Sequence, residues 1–370
     1  QLGVIALPTR LVTILGFFAL FFLTGSCRML SDSVEPPLQP TSELQNQEAP
    51  RYAFAASRDN VLVINNRNVT TRPLRGDLPP SELLQATVNY PAVRQNTAIR
   101  QPSSIVLAPS DESSFLALIR EKVTRAGKAR AMVFVHGFNT NLENAIKHGS
   151  KLQFNAKYPG PVIAFTWPSA GDFTAYYDDS LMAEKTLYAE YLSKTINMLA
   201  ALPEIEKIDL LGHSMGNRII LNMATRSQGK LSTEAKNKLN EVVFASPDVH
   251  WRVFTGAMGL GITRNSLGNR RTVYIHRGDR ALQTSAILNG GDRAGQINPR
   301  VKPLPPGADF VDLSSMGSVF SSNHFAYIDN EISIKGIQSL VKGVAAEQRN
   351  LVRHNRTDGR KTWHFYTLPQ

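Results

Sequence analysis

Short apolar runs alternate with stretches of helical spacing through the middle of the chain. Residues 131–135 are apolar at every position, which is typical of a strand buried on both faces of a parallel sheet. Similar runs recur at residues 162–165, 208–211, 242–245, 272–275 and 310–313. Between them, apolar residues repeat at helical intervals, as in Tyr188, Leu192, Ile196 and Leu199. This alternation predicts an α/β protein with a mostly parallel, doubly wound sheet, helices on both faces, and residues 310–313 as its last strand.

The N-terminal third has a weaker pattern of the same kind. Residues 52–56, 61–64 and 83–88 resemble short strands, and residues 114–123 have helical spacing. We expect residues 51–126 to form an extension whose strands join the sheet. Thr140 and Glu143 match a capping box for the helix after the run at 131–135.

The first 27 residues have the pattern of an export signal. Arg10 precedes an apolar stretch at 11–23, and three small residues at 24–26 precede Cys27, the single cysteine of the chain. This arrangement resembles a bacterial lipobox with its leucine one position early, which predicts lipidation at Cys27. The alternative is an uncleaved membrane anchor, although the apolar core of about 13 residues is shorter than the ~20 that span a bilayer. Both alternatives predict a location in the cell envelope, with the proline-bearing residues 28–50 as a linker.

The charge balance is basic but dispersed. The 370 residues carry 41 Lys and Arg against 30 Asp and Glu, a formal charge of +11 that suits an anionic surface such as a membrane. No basic block is interleaved with aromatic residues, so we predict no nucleic-acid partner. A mild basic cluster predicts a solvated C-terminal tail over residues 347–370. A lone cysteine excludes an internal disulfide and a thiolate metal site.

One pentapeptide within this α/β pattern indicates a reactive serine. Gly212-His213-Ser214-Met215-Gly216 follows the apolar run at 208–211 and precedes a helical stretch at 217–224. Strand, G-x-S-x-G and helix are the context of a nucleophile elbow, a tight turn that presents the serine at the edge of the sheet. Ser214 is therefore the predicted nucleophile of an acyl-transfer reaction.

A serine hydroxyl needs a base, and the base needs an orienting carboxylate. Asp279 follows the strand at 272–275, and His324 lies beyond the run at 310–313, so the chain order is Ser, Asp, His. Asp248 is the alternative acid, and either aspartate could instead cap a helix. His250 and His276 are the alternative bases, because both follow strands.

The oxyanion of the tetrahedral intermediate needs fixed N–H donors. Met215, directly after the nucleophile, is the first predicted donor. Phe138, in the loop His136-Gly137-Phe138-Asn139 after the run at 131–135, is the second, and we expect His136 to brace that loop.

These segments, with Thr166-Trp167-Pro168-Ser169, Ala245-Ser246-Pro247-Asp248 and the stretch from Gly278 to Leu282, resemble a largely uncharacterised, esterase/lipase-like bacterial branch of the α/β-hydrolase superfamily. The resemblance covers about residues 130–330. It implies an α/β-hydrolase domain over residues 51–346, a Ser214–His324–Asp279 triad, and hydrolysis of a small-molecule or lipid ester without a cofactor.

The substrate is less clearly indicated. Trp167, Phe173, Tyr176 and Tyr177 either line a pocket above the serine or pack on the sheet edge, and residues 251–262 are either a lid or a buried helix. The chain has no metalloprotease, paired-cysteine or P-loop motif, so we predict neither metal nor nucleotide. Two other functions stay open: an acyltransferase or thioesterase using the same triad, and a non-catalytic binding protein of the envelope. No feature indicates the oligomeric state.

Overall fold

The computed structural model describes residues 52–71, 78–226, 230–259, 267–316, 322–349, 351–357 and 362–367. Its strands are β1 (Tyr52–Phe54), β2 (Ser57–Asn65), β3 (Glu82–Tyr90), β4 (Val93–Gln95), β5 (Ser104–Pro109), β6 (Arg130–Val135), β7 (Val162–Thr166), β8 (Lys207–His213), β9 (Leu239–Ala245), β10 (Arg270–Ile275), β11 (Asp309–Asp312), β12 (Val352–Thr357) and β13 (Thr362–Thr367). Its α-helices are α1 (Glu112–Ala126), α2 (Leu142–Phe154), α3 (Tyr176–Glu184), α4 (Thr186–Ala200), α5 (Gly216–Thr225), α6 (Thr233–Lys238), α7 (Trp251–Gly259), α8 (Arg280–Asn289), α9 (Ala326–Asp329) and α10 (Glu331–Val341).

Within the described residues, eleven strands form one sheet in the order β12-β13-β11-β10-β9-β8-β6-β7-β2-β3-β5. The strands from β13 to β2 are parallel, and antiparallel pairs occur only at the two ends, where β12 joins β13 and where β3 and β5 follow β2. Strands β1 and β4 form a separate antiparallel pair. The predicted mostly parallel sheet of an α/β protein is confirmed.

Helices cover both faces of this sheet. Successive side chains of a strand point to opposite faces, and in β6 Val133 belongs to one buried apolar cluster whereas Phe134 belongs to another. Tyr188 of α4 packs in the first cluster and Ile337 of α10 in the second. The run at 131–135 is apolar throughout because each face of its strand is covered.

The N-terminal extension enters the sheet beside β7. Strand β2 pairs in parallel with β7, and β3 and β5 continue outward from it. Helix α1 then leads back to β6. Asp111 caps α1 by accepting a hydrogen bond from the Ser114 N–H at 2.9 Å, and Gly127 ends the helix in the left-handed region at φ 60°.

Three local expectations differ from the structure. Asn141, one residue after Thr140, caps α2 by accepting from the Asn144 N–H, so the predicted capping box is wrong. Strand β11 is not the last strand. Instead of a solvated tail, residues 352–357 and 362–367 of the C-terminal segment form β12 and β13, and β13 pairs in parallel with β11.

The expectations for residues 1–50, including Cys27, lie outside the described residues. In the described ranges, no helix is both long and apolar enough to cross a membrane.

Candidate active site

Ser214 lies on a sharp turn between β8 and α5. Its backbone adopts φ 52°, in the left-handed region that a residue other than glycine rarely occupies. Such a conformation costs of order 1–3 kcal/mol and persists only where neighbouring contacts impose it. Here the Ser214 N–H donates to the Ala245 carbonyl at 3.0 Å, and the Asn217 amide donates to the Ser214 carbonyl at 3.0 Å. The turn thus has the form expected of a nucleophile elbow.

The two glycines of the pentapeptide allow close approach of other atoms. A Cβ on Gly212 would lie 2.5 Å from the Asn217 side-chain oxygen, and one on Gly216 would lie 2.5 Å from the His136 carbonyl oxygen. Gly137, in the loop after β6, is equally restricted, because its Cβ would lie 2.6 Å from that of Ser214. The loop predicted to carry the second oxyanion donor therefore passes directly beside Ser214.

Asp279 and His324 are joined by a short hydrogen bond. The His324 Nδ1–H donates to Asp279 Oδ2 at 2.7 Å, and both side chains are buried, with exposures of 8% and 0%. The other carboxylate oxygen, Oδ1, accepts the Leu282 N–H at 3.0 Å and caps α8. Asp279 therefore makes both contacts that its sequence position suggested, the hydrogen bond to a histidine and the helix cap.

The same contact alters the protonation of His324. Burial by itself lowers the pKa of this imidazole, but the negative charge of Asp279 and the hydrogen bond to it raise the pKa above its ordinary value. Because Nδ1 carries the donated proton, Nε2 is the ring nitrogen left to act as a base.

Backbone contacts hold His324 beside the serine turn. The His324 carbonyl accepts a hydrogen bond from His213 Nε2 at 3.2 Å and another from the Ser246 hydroxyl at 3.1 Å. The rings of His213 and His324 have centroids 4.6 Å apart. Since His213 precedes Ser214 and Ser246 follows β9, the loop that carries His324 is fixed to the residues around Ser214.

Asp248, the alternative acid, is used differently. Its carboxylate accepts hydrogen bonds from Ser285 and, at 2.9 Å, from the Tyr176 hydroxyl, and it pairs with Arg218 at 3.3 Å. Burial alone would raise the pKa of Asp248, but Arg218 and these hydrogen bonds hold it below its usual value. Its backbone N–H donates to the Ser214 carbonyl at 3.2 Å. Asp248 thus supports the serine turn, and Asp279 is the carboxylate that binds His324.

The two alternative bases are also occupied elsewhere. His276 Nδ1 accepts the Gly278 N–H at 3.1 Å, and His250 Nδ1 accepts the Arg252 N–H at 3.2 Å. Neither contact involves the predicted nucleophile or the predicted acid.

Both predicted oxyanion donors belong to segments that adjoin Ser214. Met215 is the residue that immediately precedes α5, so its N–H belongs to the helix end whose N–H groups lack intrahelical acceptors. Phe138 directly follows Gly137, the residue that touches Ser214. The Phe138 ring packs edge-on against Tyr176, with centroids 5.0 Å apart.

Comparison with known proteins is consistent with this geometry. Residues 111–341, more than half of the chain, match the model of a family described as "Alpha/beta hydrolase of unknown function (DUF900)". The chain belongs to this family.

Two solved structures are similar to this DUF900 hydrolase at a distance. The esterase Pf2001 of Pyrococcus furiosus is 11% identical, with a TM-score of 0.31, over 69% of this chain and 82% of the other. A structure titled as a predicted CIB-like hydrolase from Thermoplasma acidophilum is 12% identical, with a TM-score of 0.31, over 80% and 99% of the two chains. Comparison with curated proteins gives no match.

In this DUF900 hydrolase, His136 braces the loop after β6, as its position suggested. Its ring stacks on Trp167, with centroids 5.2 Å apart, and burial lowers its pKa to about 3. Nε2 accepts the Trp167 N–H at 3.2 Å, so Nδ1 is the protonated nitrogen and donates to the Gly137 carbonyl at 2.9 Å. That carbonyl shares a planar trans peptide with the Phe138 N–H, which must therefore point the opposite way. His136 thereby orients the predicted oxyanion donor.

The aromatic residues expected to line a pocket or to pack on the sheet edge differ in their burial. Trp167 is fully buried on the sheet, and Tyr177 is 70% exposed. Tyr176 is half-buried and directs its hydroxyl to Asp248. The side chain of Phe173 lies outside the described residues.

The segment at 251–262, expected to be either a lid or a buried helix, forms a packed helix over its described residues. In α7, Trp251 and Phe254 pack on each other with ring centroids 6.2 Å apart, and Phe254 also contacts Phe244 of β9. Residues 260–262 lie outside the described residues. In the part of the chain that the structure describes, no group of three or more His, Cys, Asp or Glu side chains could hold a metal ion.

Proposed function

We propose that this hydrolase is a serine esterase that cleaves carboxylic esters through an acyl-enzyme. The observation that carries the proposal is the buried Asp279–His324 pair, anchored by its backbone to the residues around a serine with a left-handed backbone. This combination supplies a nucleophile, a base, and a carboxylate that fixes the tautomer of the base.

Each residue has one role in the proposed reaction. The Ser214 hydroxyl attacks the ester carbonyl while His324 Nε2 takes its proton, and the N–H groups of Met215 and Phe138 bind the oxyanion. His324 then returns the proton to the leaving alcohol. A water molecule, deprotonated by the same nitrogen, attacks the acyl-enzyme, and the nitrogen returns that proton to the Ser214 oxygen as the acid is released.

Hydrolysis of p-nitrophenyl esters of increasing chain length tests the reaction. We expect turnover by the wild-type protein, loss of at least about 1000-fold in Ser214→Ala, and no change in Ser113→Ala, whose serine is exposed on α1. A fluorophosphonate probe should label the peptide that contains Ser214. Wild-type turnover no greater than that of Ser214→Ala would reject catalysis and favour a binding protein.

Product analysis separates hydrolysis from acyl transfer. The esterase proposal expects free acid as the main product when an alcohol or an amine is added to the reaction. Dominant transfer of the acyl group to either acceptor would identify an acyltransferase, and a strong preference for thioesters would identify a thioesterase.

We also propose that residues 1–27 attach the enzyme to the cell envelope, with Cys27 as a lipidated residue. The apolar stretch at 11–23, the small residues before Cys27 and the excess of basic residues support this proposal. In a bacterial host, labelled palmitate should be incorporated into the wild-type chain and not into Cys27→Ala. Equal labelling of both, or labelling of neither, would contradict lipidation at Cys27.

A further inference from the structure

Two charged residues that the proposed reaction does not use, Arg67 and Asp179, hold the loop that carries Phe138. Arg67 follows β2, and Asp179 lies in the first turn of α3, so the two are more than 100 positions apart. They meet at the carboxyl ends of β6 and β7, beside the predicted oxyanion loop.

The Asp179 carboxylate binds donors from two loops. It is 3% exposed; one oxygen accepts the Ser169 hydroxyl at 2.5 Å, and the other accepts the Ala170 N–H at 3.0 Å. The Asn139 N–H lies near this carboxylate and favours its charged form. The Ser169 oxygen in turn accepts the Thr140 N–H at 3.2 Å. The carboxylate thus holds Thr140 through Ser169 and attracts the N–H of Asn139, and these are the two residues that follow Phe138.

Arg67 binds the same two loops through their carbonyl groups. Its guanidinium donates to the carbonyls of Thr140 at 3.0 Å and Trp167 at 3.1 Å, and also to that of Ser169. A planar guanidinium with several fixed donors can join three carbonyls in this way, whereas an ammonium group lacks that geometry. Arg67 and Asp179 also attract each other electrostatically.

We call Arg67, Asp179 and Ser169 the clamp. It matters because the backbone on both sides of Phe138 is held by contacts. On one side, Gly137 touches Ser214, and its carbonyl is held by His136. On the other side, Asn139 is held at φ 52°, a left-handed conformation that asparagine tolerates better than most residues. The position of the Phe138 N–H is therefore fixed by contacts on both of its chain neighbours.

We propose that Asp179, together with Arg67 and Ser169, is a positioning residue that preorganises the oxyanion site. The inference rests on the proposed function and extends it. It also gives the Trp167-Pro168-Ser169 segment a purpose, since Ser169 links the carboxylate to the loop after β6. The clamp touches no substrate and acts only through the direction of the Phe138 N–H.

A positioning role predicts a particular kinetic signature. Removing one oxyanion donor costs about 100- to 1000-fold in turnover, and a displaced donor should cost a substantial part of that. Because the donor acts on the oxyanion more than on the ground-state carbonyl, kcat should fall while KM changes little. A purely structural role would lower the melting temperature without this selective effect on kcat.

Asp179→Asn is the test, with Asp178→Asn as its matched control. The two residues are adjacent on α3, but Asp178 is exposed. In Asp179→Asn an amide NH₂ replaces one accepting oxygen and faces donors. We expect kcat to fall at least about tenfold with KM within about twofold. The affinity for an alkylboronic acid, which forms a tetrahedral adduct on the serine, should fall in parallel. Asp178→Asn should match the wild type in all three measurements.

Ser169→Ala provides a second, smaller change. It removes the hydroxyl that joins Asp179 to the Thr140 N–H and leaves the carboxylate in place, and we expect the same fall in kcat and in boronate affinity. If Asp179→Asn does not fold, the kcat and boronate affinity of Ser169→Ala decide whether the clamp has a positioning role. A folded variant of either kind with unchanged kcat would overturn the clamp while leaving the esterase proposal intact. A wild-type protein without Ser214-dependent turnover would overturn both.

Discussion

Replacing Asp279 by asparagine should invert the tautomer of His324. In the wild type, Oδ1 accepts the Leu282 N–H at 3.0 Å and Oδ2 accepts the His324 Nδ1–H at 2.7 Å. An asparagine has only one accepting oxygen. If that oxygen stays on the Leu282 N–H to cap α8, the NH₂ group must face Nδ1. Nδ1 then has to accept, the ring proton moves to Nε2, and Nε2 can no longer take a proton from Ser214.

The expected loss of activity in Asp279→Asn follows from this geometry. The same exchange in the serine-protease triad, where the wrong tautomer is also imposed, lowers kcat by about 10⁴. Here the histidine and the acid are both buried, so no solvent-exposed rotamer offers an easy alternative. We expect a similar loss of about 10⁴, which corresponds to roughly 5.5 kcal/mol of transition-state stabilisation. Stability should change little, because asparagine is as good a helix cap as aspartate.

The assay is kcat/KM on a p-nitrophenyl ester, with a thermal melt of each variant. Asp111→Asn is the matched control, since Asp111 also caps a helix through an N–H three residues later, at an exposed position. It should keep full activity. A folded Asp279→Asn with activity within tenfold of the wild type would refute the assignment of Asp279 as the carboxylate that orients the base.

Three further predictions concern the pH, the oxyanion loop and a buried acid. Because the pKa of His324 is raised and its neutral form is the base, kcat/KM should increase with pH along a curve whose midpoint lies above 6.5; a midpoint below 6.5 would contradict this. Gly137→Ala places a Cβ 2.6 Å from that of Ser214 and should lower kcat by at least about 100-fold, whereas Gly256→Ala, with no atom within 4 Å, should be neutral. Burial raises the pKa of Glu241 from 4.5 to about 7, so between these values the folded chain binds more protons than the unfolded chain, and its stability falls as the pH rises. The free energy of unfolding, measured in urea at pH 5 and at pH 8, should fall by about 2 to 3 kcal/mol less in Glu241→Gln than in the wild type. The same decrease in both proteins would refute this prediction.

The sequence predicts the centre of the sheet well because each central strand is buried on both faces. Residues 131–135 are apolar throughout for that reason, residues 208–211 are apolar except for Asp209, and the glycines around Ser214 mark the turn between strand and helix. The parallel sheet then brings Asp279 and His324 to the edge where Ser214 lies. Both follow adjacent strands, so chain order allowed their pairing, but it also left Asp248, His250 and His276 as alternatives.

Other features depend on contacts that leave little trace in local pattern. Asp179 lies between two other polar residues of α3, and Arg67 is a single charged residue after a strand. Neither position in the sequence therefore indicates the clamp. The Trp167-Pro168-Ser169 segment is distinctive in the sequence, but its tryptophan was compatible with a pocket wall or with packing on the sheet edge. Its burial against His136 follows from packing between loops. Asp248 has the spacing of a catalytic acid, and only its three-dimensional partners, Arg218 among them, assign it to the support of the turn.

The C-terminal strands were missed for a related reason. They alternate polar and apolar residues less clearly than the central strands, and the basic residues between 349 and 361 resemble a solvated segment. Antiparallel strands at the end of a sheet need only one covered face, so their composition is weaker evidence of structure. Pairing with β11 decides their conformation.

The short strand β11 has a consequence for how the protein would begin to unfold. It has four residues, and only two of them, Val311 and Asp312, pair with β13, whereas Ser214 follows a seven-residue strand with partners on both sides. Opening of this seam would release β12 and β13, whereas all four residues of β11 stay paired with β10 and the His324 carbonyl stays bound to His213 and Ser246. Heat or denaturant should therefore detach the two C-terminal strands first, ahead of cooperative unfolding of the whole domain, and the segment that leads to His324 should keep its place until then.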